Sequence, residues 1–178
     1  KKARFWMALP ITALREECNK CELLEPGSGP MGDAESEKNQ LFEKLLLHDR
    51  RIAWDTRGFE AMRIRKVEDV AGLVDQYERF QNMSDAELLE AYAKCGLPAD
   101  DSLSWNERLE ILRRVMILEL LPVEELRKEC EAEGLQVEDA EGKVKADLGE
   151  ERDRLFQQLV VQAASSSYER KDIPVRKL

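Results

Sequence analysis

The side chains best suited to chemistry are four cysteines at 18, 21, 95 and 130, a lone histidine at 48 and a glycine-rich run at 27–32. Cys18-x-x-Cys21 has the spacing of half a zinc site or of a dithiol redox pair. A structural zinc ion needs four ligands, and the chain offers neither a second such pair nor histidines at the usual spacing. Gly27-Ser28-Gly29-Pro30-Met31-Gly32 lacks the Gly-Lys-Ser/Thr ending of a phosphate loop and follows no strand pattern, so it reads as a linker. Glu138-Asp139-Ala140-Glu141 lacks the Asp-x-Asp-x-Asp-Gly order of a calcium hand. His48 falls where a helix is expected to end, a position the helix dipole favours without any catalytic role. The expectation is therefore no catalytic residue, no metal site, no cofactor and no enzymatic activity.

The cysteines find a simpler explanation in a pattern that occurs three times. Its first half is Leu9-Pro10-x-x-x-Leu14-x-x-x-Cys18, then Met83-Ser84-x-x-x-Leu88-x-x-x-Tyr92, then Leu121-Pro122-x-x-x-Leu126-x-x-x-Cys130. Nine positions after each motif leucine stands another leucine: Leu23, Leu97, Leu135. The second halves are Leu41-Phe42-x-x-Leu45-Leu46, Ile111-Leu112-x-x-Val115-Met116 and Leu155-Phe156-x-x-Leu159-Val160. Cys18 and Cys130 lie four residues after their leucine, Cys21 and Cys95 seven, which places them on the leucine's own helix face. A cysteine there acts as a small buried hydrophobe. Repetition of this kind points to packed helical pairs, which bind more often than they catalyse.

The flanking residues supply the element boundaries. Pro10 and Pro122 suit helix starts. Ser84 with Glu87 three residues later makes a capping box, and Ser104 caps the helix from Trp105 to Leu121. Gly134 is placed to end the third copy's first helix. The period predicts helices from Pro10 to Glu22, Ala34 to Leu47, Val67 to Gln81, Ser84 to Gly96, Trp105 to Leu121, Pro122 to Gly134 and Leu148 to Ala164. The apolar run Val115-Met116-Ile117-Leu118 belongs at the centre of a domain or under a partner. Residues 49–65 fit neither period; Ile52, Trp54, Phe59, Met62 and Ile64 read as an irregular connector whose apolar side chains plug the core, and Trp54 and Trp105 read as core. The expected organisation is an N-terminal arm and first repeat over 1–48, a connector plus helix over 49–82, a second repeat over 83–120, a third over 121–164 and a tail over 165–178. The fold class is all-α.

Charge limits the partners. The net charge is −9 and charged residues make up 37% of the 178-residue chain, well above the usual quarter. An acidic protein repels phosphate backbones. No run approaches the ~20 apolar residues a membrane-spanning helix needs, though attachment at the edge of a membrane complex stays open. The first residue is not Met, which reads as a fragment or as a product matured by leader removal.

A short helix, a Gly-Leu step, an extended loop and a second helix opening on basic residues resemble the SAP-like, or helix–extension–helix, motif. Cys95-Gly96-Leu97-Pro98 and Glu133-Gly134-Leu135 carry the Gly-Leu step, and Arg108, Arg152 and Arg154 stand near the start of the second helix. In the first copy, Cys21-Glu22-Leu23, the glycine is replaced. The resemblance implies three helix–loop–helix units with an extra connecting helix, and it implies DNA binding through basic residues near the loops. Those loops instead carry Asp100-Asp101 and the acidic run at 138–141, so nucleic acid is an unlikely partner and SAP-like nucleic-acid binding is the alternative reading. Divergent tandem copies also resemble those of algal proteins.

The expected function is a non-enzymatic helical-repeat scaffold, a peripheral or linker subunit that binds other protein subunits of a larger assembly. Its expected location is intracellular: a plastid or mitochondrion after leader removal, otherwise cytoplasm or nucleus. The expected contact residues are Phe5, Trp6 and Met7 at one end and Tyr168, Arg170, Lys171, Arg176 and Lys177 at the other.

Overall fold

Ten residues are too few for an isolated helix to persist in water. Three helices of the computed structural model have that length: α2 (Ile11–Lys20), α5 (Asp85–Lys94) and α7 (Val123–Ala132). Each packs against the longer helix that follows it: α3 (Ala34–Thr56), α6 (Trp105–Leu120) and α8 (Leu148–Ala163). The structure describes residues 2–24, 33–98, 102–135, 137 and 148–165, and among them every regular element is an α-helix. The motif leucines Leu14, Leu88 and Leu126 are fully buried, as are Cys18, Tyr92 and Cys130 one turn later.

The chain divides into two compact units, Lys1–Gly58 and Phe59–Leu178. In the first, α1 (Lys2–Ala8) and α2 lie on α3, and Trp6, Leu14, Cys18, Leu41 and Leu45 form the core. In the second, α6 is central and touches α4 (Val67–Gln81), α5 and α8. Val115, Met116, Ile117 and Leu118 are all buried, because a helix covered by several neighbours has no solvent face there. Phe59 meets Tyr77 edge to face within this core, with centroids 5.2 Å apart.

The leucine nine residues after the motif leucine has a local cause. At the end of α7, Gly134 adopts φ 70°. The Leu135 amide then donates to Cys130 O at 2.8 Å and the Gly134 amide to Glu131 O at 3.1 Å. This is a Schellman ending, in which the residue after the left-handed position packs back on the helix. α2 ends the same way, with Leu23 donating to Cys18 O at 2.9 Å, but Glu22 holds the left-handed position at φ 56°. Gly96, at φ 75°, stands at the corresponding point after α5. The Ser84 and Ser104 capping boxes are both closed: each serine amide donates to its glutamate, Glu87 or Glu107, at 2.8 Å.

Several sequence readings change. Residues 2–8, expected as an N-terminal arm, form a helix, and Trp6 supplies the hydrophobic anchor that holds them. α3 runs on to Thr56 instead of stopping at Leu47, so 49–56 is not connector. That leaves His48 in a helix interior, where the dipole argument does not apply. Of the five apolar side chains assigned to plug the core, Phe59 and Ile64 do so, Trp54 is half-buried, and Ile52 and Met62 face solvent. Trp105 is half-buried too, its indole N–H donating to Met83 O at 3.3 Å.

The second-half pattern in α6 also shifts by one. Leu112 and Met116 take the buried places that Leu41 and Leu45 hold in α3 and Leu155 and Leu159 hold in α8, while Ile111 stays partly exposed.

The left-handed positions give a paired test. Glu22→Gly removes the steric cost of a side chain at positive φ and stabilises the first unit by about 1 kcal/mol. Gly134→Ala costs the second unit about 1 kcal/mol. A Cβ at Gly134 meets nothing within 4 Å, so the backbone angle alone sets that cost. Urea unfolding of the full chain, read by hydrogen exchange within each unit, measures both.

Candidate functional site

Two of the four thiols, Cys18 and Cys130, are built into the packing, whereas Cys95, expected on the buried face of its helix, is exposed because it stands past the end of α5. Cys18 Sγ donates to Leu41 O at 3.5 Å and Cys130 Sγ to Leu155 O at 3.9 Å, each bridging its helix pair from inside the core. Burial pushes both thiols up from their ordinary value, which leaves little thiolate to act as nucleophile or ligand at neutral pH. Cys21 is half-buried beside the first core rather than paired. Among the described residues no three His, Cys, Asp or Glu side chains gather as a metal-binding group. No helix among them is long and apolar enough to cross a membrane.

The buried charges follow a pattern that the sequence did not disclose. Four residues before Leu41, Leu112 and Leu155 stand Glu37, Arg108 and Glu151, the charged side chains buried among the described residues. Each pairs with the preceding helix. Arg15 donates to Glu37. Arg127 grips Glu151 with two parallel hydrogen bonds, Nε to Oε1 and Nη2 to Oε2, both 2.9 Å. In the middle pair the signs are exchanged: Arg108 Nη1 donates to Asp85 Oδ1 at 2.5 Å. A bidentate guanidinium–carboxylate pair is directional as well as strong, so Arg127–Glu151 helps to set the angle of its helix pair.

A second ionic cluster ties the 59–66 segment to α6 and α7. Arg63 reaches Glu125 at 2.7 Å, Glu129 at 2.6 Å and Glu60 at 2.5 Å. Arg114 joins Glu60 at 3.1 Å and pairs with Glu129. Burial alone would lower the Arg63 guanidinium, but its bonds to Glu125 and Glu129 outweigh this and hold it above its ordinary value. Burial likewise pushes the Glu129 carboxyl up, and Arg114 and Arg63 together hold it below the usual carboxylate range. Lys128, then Arg63, hold Glu125 down.

The predicted contact residues separate. Trp6 is buried at 8% exposure, whereas Phe5 at 60% and Met7 at 63% stand out from α1. Lys2 on the same helix pairs with Asp49 at 2.7 Å. Tyr168, Arg170, Lys171, Arg176 and Lys177 lie outside the described residues, as does the acidic loop at 138–141. Ile52 is a further exposed apolar residue of the first unit.

Two of the depressions in the second unit, both missed by sequence reasoning, border α6. One, of about 250 Å³, lies between α6 and the end of α8 over Ile111, Leu159 and Ala163. It adjoins a hollow of about 350 Å³ over Leu103 that shares Glu110, Ile111 and Ala163. The other, of about 400 Å³, surrounds the α6–α7 junction and brings Arg65, Lys66, Arg127 and Arg152 together with Asp69 and Glu124. The only sequence signal for the groove was Ile111 itself, apolar yet out of phase with the buried stripe of α6.

No family model, curated protein or solved structure matches this chain.

Two outcomes follow from these pairs. Arg127→Ala leaves Glu151 buried without its guanidinium and destabilises the second unit by roughly 3–5 kcal/mol, far more than Arg127→Ala combined with Glu151→Leu; thermal unfolding of the variants shows the difference. Glu125 and Glu129 bind fewer protons folded than unfolded, so their stabilisation is complete above the unfolded carboxylate value of about 4.3 and is lost as pH falls through their lowered folded values. Unfolding free energy measured across the acid range falls less steeply in Glu129→Gln than in the parent.

Proposed function

We propose that this chain is a non-enzymatic interaction module: three SAP-like helix–loop–helix units and a connecting helix, acting as a peripheral or linker subunit that holds other proteins in a larger assembly. The observation that carries this reading is the outer face of α1. Trp6 anchors the helix while Phe5 and Met7, which a monomer gains nothing by exposing, are exposed on either side of the outward-facing Arg4. Large apolar side chains held rigidly at the surface are what partner-binding anchors consist of. The repeated helix endings, the buried motif leucines and the ion pair at one place in each helix pair support descent of the three units from one motif. Cys18 and Cys130, locked in the core, support a role without covalent chemistry.

A second reading, nucleic-acid binding, draws on one observation: the four cations around the α6–α7 junction. It is weakened by their engagement, since Arg127 holds Glu151 and Arg65 holds Glu124 at 3.1 Å. Few cations remain to neutralise phosphates.

Affinity capture from the native source with the tagged full chain tests both. The scaffold reading expects a small, reproducible set of protein subunits, and expects Phe5→Ala with Met7→Ala to lose them, each truncation costing about 2 kcal/mol or ~30-fold. A chain that is partner-free at native abundance sinks it. Tight duplex-DNA binding that falls steeply with salt, in the same preparation, would favour the second reading.

A further inference from the structure

We propose that the groove between α6 and the end of α8 receives α1 of a second copy of this chain, so that copies join head to tail. The proposal rests on reading Phe5 and Met7 as contact residues, and it names what they contact.

The two surfaces complement each other in charge and in polarity. α1 carries Lys2 and Arg4 and no carboxylate. Lys2 is neutralised by Asp49, while Arg4 is exposed and has no ion-pair partner among the described residues. The groove has the opposite character. Its rim holds Glu107, Glu110 and Glu133, of which Glu110 also pairs with Arg113, and among the described residues that line it the one cation, Arg114, is already held by Glu60 and Glu129. Its floor is apolar, formed by Ile111, Leu159 and Ala163. An arginine flanked by a phenylalanine and a methionine fits an apolar cleft with an acidic rim. The groove's two parts, about 250 and 350 Å³, have room for an aromatic ring and a thioether chain.

The net charge of −9 makes copies repel one another in general. Self-association therefore requires a local reversal of sign, and α1 provides one. The contact joins different surfaces of the two copies, and each copy offers one α1 and one groove. A helix of two turns buries less than the ~1,200 Å² of a stable interface, so the contact is weak and depends on concentration and on salt.

Sedimentation velocity of the full chain, from about 10 μM to about 1 mM, where weak contacts populate, is the test. The sedimentation coefficient should rise with concentration at low salt and return to the monomer value near 0.5 M salt, where the Debye length is only ~4 Å. Arg4→Glu alone and Glu110→Lys alone should each weaken association at least tenfold. Mixing the two variants should restore it, because each then meets a partner of opposite sign. Both positions are exposed, and Glu133→Lys is a second groove variant should Glu110→Lys disturb α6. A chain that stays monomeric at every concentration overturns the proposal. So does association that survives both groove substitutions, as an α1-to-α1 dimer would, or a mixture that fails to recover. A monomeric chain whose native partners are still lost in Phe5→Ala with Met7→Ala overturns self-docking alone and leaves the scaffold function standing.

Discussion

Everything in this molecule depends on the inability of its short helices to stand alone. α2, α5 and α7 have ten residues each, below the length at which backbone hydrogen bonds offset the entropy of ordering a helix. They exist because one leucine and the side chain a turn later are driven out of water against the next helix. The motif leucines at 14, 88 and 126 are accordingly buried without remainder. The Schellman endings follow from the same need: a short helix gains most by tucking the first residue of its loop, Leu23 or Leu135, back onto itself.

Hydrophobic contact is not directional, and a pair of short apolar stripes can slide or rotate. The buried ion pairs supply the missing direction. Glu37, Arg108 and Glu151 sit at one place in the first turn of the longer helices, each held by a residue of the shorter one. The exchange of sign in the middle pair means that α5 placed against α3 or α8, or α2 or α7 placed against α6, brings like charges together. Such pairs add little net stability over an apolar replacement, but they penalise wrong arrangements heavily. The Arg63–Glu129–Arg114 cluster does the same for the 59–66 segment, whose irregular backbone has no ladder of its own to orient it.

The exposed face of α1 is the counterpart of this economy. Trp6 does for α1 what the motif leucines do for the other short helices, and by anchoring one side it holds Phe5 and Met7 outward. Ile111 plays a similar part on α6: the one-residue offset that buries Leu112 turns its neighbour toward the groove. In both places the residue next to a core anchor becomes the surface feature.

Much of this was legible in the residues alone. The all-helical class, the extents of α4, α6 and α8, the capping boxes at Ser84 and Ser104 and the glycine end of α7 rest on interactions spanning four or five residues, and short-range chemistry is written in the sequence directly. The same locality explains the misses. Nothing near Leu47 says that α3 continues to Thr56, and the aromatic and basic start at residues 2–8 has no cap to mark it as a helix. Whether Trp6 or Phe5 faces inward, which of Ile111 and Leu112 is buried, and which carboxylate each arginine meets across 22 to 62 positions were decided only by the tertiary structure. Those choices depend on which helix faces close on one another in space, and no window of neighbouring residues contains that information.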